Sequence, residues 1–296
     1  MLDVIIIGGS YAGLSAALQL GRARRSVLVL DAGQRRNRFA SHAHGFLGRD
    51  GVPPGDIVAQ GRAELLRYAT VSVREATVRE VRPVEGGFAV CAVTESFRAK
   101  RIILATGVGD KLPEVPGLAD AWGKTAFHCP YCHGYELNRG QLGVLATSPM
   151  SLHHAQLVPE WGPTTFFTNG VFTPSEAERA DLSARGVRVE PARVHGVQSD
   201  EKTITVQLEE GRTQRLEGLF VLPRTQLVTP FAEQLGLAVA ESPMGPYYQT
   251  DALKQTTVPG VFACGDAGLA MGSVAFAVAD GAMAGVSAHR SLVFPA

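Results

Sequence analysis

The apolar positions near the start of the chain follow two different periods. Residues 4–7 form an uninterrupted apolar run, as expected for a strand buried on both faces. Residues 14–22 then place apolar side chains at helical spacing, and residues 27–30 form a second buried run that ends at Asp31. This order predicts a strand, a helix and a parallel strand, the unit that opens a dinucleotide-binding fold.

A glycine-rich turn joins the first predicted strand to the helix. The turn is Gly8-Gly9-Ser10-Tyr11-Ala12-Gly13, so a serine stands at the second glycine position of the G-x-G-x-x-G pattern. Serine is small enough to let phosphates approach, and the helix N-terminus offers free N–H groups. Asp31 follows Gly8 at about the usual 20-residue spacing for an acid that binds a ribose diol. We therefore expect a bound nucleotide; the alternative is a tight turn without a ligand.

Two later segments narrow the choice of nucleotide. Residues 101–117 predict a strand that runs into Ala105-Thr106-Gly107, and residues 258–268 predict a strand that runs into Gly265-Asp266. The three motifs in this order resemble the flavin half of the two-dinucleotide-binding-domain flavoproteins. That resemblance implies bound FAD, with Asp266 near the ribityl chain and pyrophosphate.

The resemblance also implies a discontinuous FAD domain. We expect residues 1–117 and 245–296 to form it, and residues 118–244 to form an inserted domain, with boundaries at proline- and glycine-rich turns. Short strands are predicted at residues 71–73, 77–81 and 88–93, as a sheet attached to the FAD domain. The fold class is α/β, with two Rossmann-like domains.

Composition removes several classes of function. The 296 residues contain 28 Lys+Arg and 28 Asp+Glu, so no overall basic field attracts nucleic acid or an anionic membrane. The clusters of arginines at residues 22–25 and 35–38 are interpreted as solvated faces. No stretch approaches the ~20 apolar residues of a membrane span, and no targeting segment is visible, so we expect the cytoplasm. Cys91 and Cys264 are expected to be inert core residues.

The sequence Phe127-His128-Cys129-Pro130-Tyr131-Cys132-His133 carries the candidate chemistry. A zinc site is disfavoured because adjacent residues cannot easily converge on one tetrahedron and no second Cys-x-x-Cys is present. A glutaredoxin-like motif and a purely structural disulfide are further alternatives. A redox-active dithiol accounts for the motif better than these alternatives. A helix expected after Cys132 and a neighbouring imidazolium would both stabilise a thiolate.

The position of this motif, just after the Leu-Pro-Glu-Val-Pro-Gly segment, resembles the low-molecular-weight thioredoxin reductases. The resemblance implies that Cys132 faces the flavin and that Cys129 attacks the substrate. His133 stands where that family has an aspartate, and its ordinary pKa near 6.5 suits a proton donor and acceptor. His128 is the weaker catalytic candidate. A homodimer is also implied. The cofactor-binding residues expected from the motifs and the resemblance are Gly8, Gly9, Ser10, Tyr11, Ala12, Gly13, Asp31, Asn37, His44, Val78, Ala105, Thr106, Gly107, Gly265 and Asp266.

The inserted domain departs from the reductases where they bind NADPH. The expected glycine turn is Ala146-Thr147-Ser148-Pro149-Met150-Ser151, which has no glycine and includes a proline without an N–H. Residues 164–170 supply no arginine for a 2′-phosphate. The chain thus resembles the NADPH-independent subgroup that includes gliotoxin oxidase and holomycin dithiol oxidase.

We therefore predict an FAD-dependent dithiol oxidase whose electron acceptor is dioxygen or a redox partner, and whose substrate is a small dithiol or a thioredoxin-like protein. The alternatives are an NADPH-dependent thioredoxin reductase, a ferredoxin- or flavin-linked relative, and a non-enzymatic redox sensor.

Overall fold

The computed structural model of the chain describes residues 1–294. The strands are β1 (Leu2–Ile7), β2 (Val27–Asp31), β3 (Val71–Glu75), β4 (Val78–Val84), β5 (Gly87–Ala92), β6 (Ser96–Leu104), β7 (Val108–Lys111), β8 (Ala126–Phe127), β9 (Leu142–Leu145), β10 (Thr164–Phe167), β11 (Arg188–Glu190), β12 (Val194–Ser199), β13 (Ile204–Leu208), β14 (Thr213–Leu216), β15 (Gly218–Val221), β16 (Arg224–Leu227), β17 (Val239–Ser242), β18 (Gly245–Tyr248) and β19 (Val261–Ala263). The α-helices are α1 (Tyr11–Arg22), α2 (Pro54–Leu65), α3 (Leu118–Ala121), α4 (Pro130–His133), α5 (Ser151–Leu157), α6 (Glu176–Ala184), α7 (Phe231–Leu235) and α8 (Val274–Val293).

The chain divides into two compact units. The first unit comprises Met1–Arg38, Phe46–Gly109 and the residues from Thr225 onward; the second comprises Phe39–Gly45 and Asp110–Arg224. The α/β class with two Rossmann-like parts and a discontinuous first part is confirmed.

The unit boundaries lie elsewhere than at the 117/118 and 244/245 positions that the sequence predicts. Residues 243–246, interpreted as a linker, belong to the β17–β18 hairpin: Pro243 and Met244 form its turn, and Gly245 and Pro246 begin β18, where Gly245 pairs with Ser242. Pro116 accepts the Val197 N–H within the second unit at 2.8 Å. Both predicted linkers are therefore held by backbone hydrogen bonds inside one of the two units. The short segment Phe39–Gly45, expected in the FAD domain, belongs to the second unit.

The first unit is built on a sheet in the order β3-β2-β1-β6-β5-β4, with β19 also paired to β6. β1, β2, β3, β6 and β19 run parallel, whereas β4 and β5 extend the sheet as an antiparallel hairpin. β3 thus continues the main sheet, and only β4 and β5 behave as the attached strands that the sequence predicts. The apolar runs of β1 and β2 are buried on both faces, which is why they lack the alternation of a half-exposed strand.

The second unit has a parallel sheet in the order β11-β10-β9-β15-β8 and a separate antiparallel sheet, β12-β13-β14. Its largest buried side chains include Phe166, Phe167 and Phe220. The parallel sheet brings the carboxyl ends of β8, β9 and β10 to one edge, where the segments that carry the candidate chemistry begin.

In the first unit, α1 packs on α8 through small residues. A Cβ at Gly281 would meet the backbone of Ala12, and one at Gly285 would meet the backbone of Ala16. The two helices therefore approach backbone to backbone, and this contact holds the N-terminus of α1 in place.

Gly281→Ala should destabilise the protein by about 1–3 kcal/mol because the added methyl group has no room against the Ala12 backbone. Gly55→Ala is the matched control: Gly55 lies in α2, and its new methyl group would meet only the tip of Arg35 at 3.6 Å. Urea denaturation followed by circular dichroism should show a lower midpoint for Gly281→Ala alone. Equal midpoints would contradict the close packing of α1 and α8.

Candidate functional site

The glycine turn after β1 is set by close backbone packing. Gly8 has a φ of +106°, and a Cβ there would collide with the Ala105 carbonyl. A Cβ at Gly13 would collide with the Gly8 carbonyl. Gly8 and Gly13 are thus required by the junction of β1, α1 and β6. Because these glycines carry no side chain, a ligand can approach the backbone at the N-terminus of α1.

The groups around this turn suit an oxygen-rich nucleotide. Ser10 makes no capping hydrogen bond, so the first-turn N–H groups of α1 have no side-chain acceptor from it. A Cβ at Gly9 would meet Asp31, which places the Asp31 carboxylate beside the turn. Thr106 Oγ1 is buried, and the Thr106 backbone nitrogen lies beside Gly8. Free donors for phosphate and a carboxylate for a ribose diol fit a dinucleotide such as FAD.

The other residues expected to contact the cofactor divide between the two units. Tyr11 hydroxyl and the Asn37 amide are hydrogen-bonded at 3.0 Å in the first unit. Val78 is buried at the start of β4. His44, in contrast, lies in the second unit, where its Nε2 is 3.5 Å from Glu136 Oε1.

Asp266 forms an ion pair with an arginine that the sequence interpretation placed on a solvated face. Arg36 Nη1 lies 2.9 Å from Asp266 Oδ2, and the two side chains are only 26% and 20% exposed. The solvated-face interpretation of Arg36 was therefore wrong. The two residues are 230 positions apart, so no local pattern could have paired them.

The Cys129–Cys132 pair is a disulfide at the start of α4. Cys129 is the N-cap residue, and the helix begins at Pro130, before Cys132 rather than after it. The structure does not show the α-helix expected to begin after Cys132, since α4 ends at His133 and a 3₁₀ turn follows. Stabilisation of a Cys132 thiolate must therefore come from other neighbours than a helix macrodipole.

His133 is held against an aromatic ring. Its imidazole stacks on Phe127, with ring centroids 4.4 Å apart and an interplanar angle of 21°. Burial, with a smaller contribution from His44, lowers the pKa of His133 to about 4. The ordinary pKa near 6.5 takes no account of this burial, which keeps the imidazole uncharged at neutral pH. It can accept a proton, but it supplies no positive charge to a thiolate.

A second buried histidine lies near the motif and was missed by sequence reasoning. His154, on α5, has its ring centroid 5.8 Å from that of His128. It is 7% exposed, and its Nδ1 has no hydrogen-bond partner among the residues described. Burial, with a smaller contribution from His153, lowers the pKa of His154 to about 4.

A cavity of about 450 Å³ in the second unit opens beside His133. Histidine, acidic, lysine and apolar side chains all line this cavity. Its lining residues are Phe39, Ser41, His42, His44, Gly123, Lys124, Phe127, His133, Glu136, Leu137, Asp200 and Glu201. The segment 39–45, which belongs to this unit, thus contributes one side of the space around the candidate base.

The β9–α5 turn takes the place of a phosphate-binding turn in the second unit. Ser151 Oγ accepts the N–H groups of Thr147 at 3.0 Å and Ser148 at 3.4 Å. Thr147 Oγ1 donates to the Leu222 carbonyl at 2.7 Å. The Thr147 and Ser148 N–H groups, which a pyrophosphate would need as donors, are therefore already hydrogen-bonded to Ser151.

Sequence and structure comparisons define the class of protein. The family described as pyridine nucleotide-disulphide oxidoreductase matches residues 2–147 and 173–281. The chain belongs to this family. FAD is its cofactor, and thiol–disulfide redox chemistry is its class of reaction.

Curated relatives cover nearly the whole chain. The chain is similar to the thioredoxin reductase aclD of Aspergillus oryzae, with 32% identity over 99% of this chain and 97% of the relative. It is similar to the thioredoxin reductase sirT of Leptosphaeria maculans, with 31% identity over 96% of this chain and 92% of the relative.

Among solved structures, an oxidoreductase from Agrobacterium tumefaciens matches with 54% identity and a TM-score of 0.96, over 100% of this chain and 99% of that one. HlmI matches with 35% identity and a TM-score of 0.89, over 99% of this chain and 92% of that one. The predicted resemblance to thioredoxin reductase-like flavoproteins is confirmed.

Asp266→Ala should weaken FAD retention, because the variant loses the carboxylate beside the flavin motifs and leaves Arg36 without its 2.9 Å partner. Glu64→Gln, a change at a half-buried position on α2, is the control. Free-flavin fluorescence after dilution of the holoprotein measures the effect. Native retention of FAD by Asp266→Ala would remove Asp266 from the FAD site.

His154→Gln should flatten the dependence of stability on pH. The unfolded His154 has a pKa near 6.5 and the folded one about 4, so the unfolded chain binds more protons between these values. Stability is therefore full above about pH 6.5 and falls as the pH drops toward 4. His153→Gln, at the exposed neighbouring position, should keep the native slope. Urea midpoints measured across this range check the prediction; identical slopes for both variants would refute it.

Proposed function

We propose that this protein is an FAD-dependent dithiol oxidase that uses the Cys129–Cys132 pair and does not draw electrons from NADPH. The substrate is a small dithiol or a thioredoxin-like protein, and the acceptor is dioxygen or a redox partner. The homodimer and the cytoplasmic location implied at the sequence level stay predictions. No helix within residues 1–294 has the length and apolar character to cross a membrane.

The single observation that carries this proposal is the closed turn between β9 and α5. A pyrophosphate site needs backbone N–H groups that converge on the ligand and room for close approach. Here Ser151 accepts two of those N–H groups, Pro149 has none, and Met150 adds a bulky side chain that is 46% exposed. NADPH would have to displace bonds that the turn already makes.

The end of β10 supports the same conclusion. Thr168 is buried, and its N–H donates to the Glu190 carbonyl at 3.0 Å. The Asn169 side chain accepts the Val194 N–H at 2.8 Å. Both residues are thus committed to holding neighbouring strands, and neither carries a charge for a 2′-phosphate.

The cysteine pair can oxidise a dithiol in two exchange steps. A substrate thiolate attacks Cys129 Sγ, breaks the Cys129–Cys132 bond and releases Cys132 as a thiolate. The second substrate thiolate then attacks the substrate sulfur of the mixed disulfide and releases Cys129. The substrate leaves as a disulfide, with two electrons transferred to the cysteine pair and two protons to be removed. Bound FAD supplies a two-electron acceptor for the reduced pair.

His133 is the candidate base for these protons. It directly follows Cys132, and its imidazole is neutral at pH 7 because burial lowers its pKa to about 4. Stacking on Phe127 restricts the orientation of the ring. A neutral, oriented imidazole is free to accept a thiol proton, and its low pKa makes it a weaker base than an ordinary histidine. The cavity that His133 lines also holds the His44–Glu136 pair, which can accept the proton in turn.

An NADPH-dependent disulfide reductase is the second candidate. The guanidinium of Arg193 lies 3.6 Å from where a Cβ of Gly170 would stand, at the end of the segment that follows β10. Arg193 thus supplies a cation that residues 164–170 themselves do not contain. The curated relatives aclD and sirT are named thioredoxin reductases, which favours the same candidate. A ferredoxin- or flavin-linked reductase would also fit a chain without an NADPH site.

A small dithiol such as reduced dithiothreitol should bleach the flavin anaerobically, and air should restore the yellow colour with release of peroxide. Cys129→Ser and Cys132→Ser should each abolish bleaching, because both exchange steps need the pair. Cys91→Ser, on β5, is the matched control and should behave as native. Flavin absorbance with a peroxide assay measures both halves of the reaction. Bleaching without any peroxide on exposure to air would exclude dioxygen as acceptor, and no bleaching would refute dithiol oxidation.

His133→Ala should slow dithiol-driven flavin reduction by about 10²–10⁴-fold, the range for a positioned base. The ratio of native to variant rate constants should stay constant between about pH 5 and 8, since a base with a low pKa is fully neutral there. His42→Ala, in the same cavity wall, should have a small effect. A ratio that bends near pH 6.5 would show an ordinary histidine pKa and contradict the buried, neutral His133.

A further inference from the structure

The first unit contains a buried ion pair that the reaction described above does not use. Asp280 lies in the second turn of α8 and is 7% exposed at its side chain, and the Lys254 side chain is 17% exposed. Asp280 Oδ1 pairs with the Lys254 ammonium. Buried charges are rare, and removal of one partner leaves the other desolvated and uncompensated.

The second carboxylate oxygen of Asp280 holds the flavin-binding turn. Asp280 Oδ2 accepts the Gly265 N–H at 2.9 Å, a bond buried from solvent. Gly265 is the first residue after Cys264 at the end of β19, and Asp266 follows it. The pair therefore acts on the backbone directly before the acidic residue of the FAD motif.

The conformation of this turn leaves little freedom. Gly265 has a φ of +67°, and a Cβ there would stand 2.9 Å from the Ala12 Cβ in the first turn of α1. The turn is thus packed against the glycine-rich phosphate-binding segment. A shift of Gly265 would move both Asp266 and the contact with α1.

Lys254 connects the segment before β19 to Asp280. Its carbonyl accepts the Ala263 N–H at 3.0 Å, and its backbone has a φ of +64°. A lysine pays a steric cost for this left-handed conformation, which is favoured by glycine or asparagine. In this conformation the Lys254 carbonyl bonds the last residue of β19, and the Lys254 ammonium reaches Asp280 on α8.

We propose that the Lys254–Asp280 ion pair is a positioning device for FAD: it locks the Gly265–Asp266 turn in its binding conformation. Neither side chain has to touch the cofactor. The pair fixes the turn by joining the backbone before β19, the turn after β19 and the second turn of α8. This role is independent of the electron donor or acceptor and depends only on FAD being the cofactor.

The test uses the holoprotein and four variants. Lys254→Met should raise the FAD dissociation constant by about tenfold or more, because Asp280 is left as an unpaired buried carboxylate. Asp280→Asn keeps the side-chain shape and should also weaken FAD binding, since the lysine loses its countercharge. The combination of Lys254→Met with Asp280→Asn removes both charges and should restore much of the affinity. Lys100→Met breaks the more exposed Lys100–Asp3 pair of the same unit and should leave FAD binding unchanged.

Free-flavin fluorescence on dilution measures FAD release, and far-ultraviolet circular dichroism on the same samples shows that the chain stays folded. Hydrogen exchange of the Gly265 amide adds a local readout. It should be faster in Lys254→Met than in the native holoprotein, while exchange in the β1–β2 core is unchanged.

Native FAD affinity and native Gly265 exchange in both single variants would overturn the proposal. Faster exchange throughout the unit, in step with lost dichroism, would also overturn it by showing a general structural role. If a single variant does not fold, the charge-free double variant decides. Native-like FAD affinity of the double variant would support the proposal that the two charges must balance at the turn. A folded double variant that binds FAD as weakly as Asp280→Asn alone would contradict it.

Discussion

The close approach of backbones around α1 is the constraint on which the first unit depends. Gly8 and Gly13 allow β1, α1 and β6 to meet, and Gly281 allows α8 to lie directly against Ala12. Because all three glycines face backbone atoms, no larger side chain can replace them without moving an element. The same contacts leave the N-terminus of α1 open toward a phosphate. The glycine contacts that let β1, α1 and α8 pack together are therefore also the contacts that keep the N-terminus of α1 accessible to FAD.

The second unit uses a similar strand–turn–helix arrangement with the opposite result. Where the first unit leaves N–H donors for a ligand, the β9–α5 turn gives two of them to Ser151. What the unit retains is the redox motif after β8, with Cys129 and Cys132 bonded to each other and His133 stacked on Phe127. A shared architecture therefore leaves N–H donors open at the turn of one unit and carries a cysteine disulfide in the other.

Local sequence patterns predict what depends on neighbouring residues. The apolar runs of β1 and β2 and the spacing from Gly8 to Asp31 predict the first unit, and Pro149 marks the altered turn. Contacts between distant residues leave no such pattern. Arg36 meets Asp266, Lys254 meets Asp280, and His154 lies beside His128 only after folding. The low pKa of His133 likewise arises from burial, which a motif does not reveal. The β17–β18 hairpin around residues 243–246 shows that proline and glycine occur in hairpins as well as in linkers.

We propose that the second unit does not accept electrons from a nicotinamide nucleotide. The most direct measurement is anaerobic stopped-flow mixing of the holoprotein with NADPH, and separately with NADH, followed by flavin absorbance. The closed turn at Ser151 predicts that neither nucleotide bleaches the flavin on the time scale on which a small dithiol does. Fast, stoichiometric bleaching by NADPH would contradict the account and would show that the turn opens to admit the nucleotide.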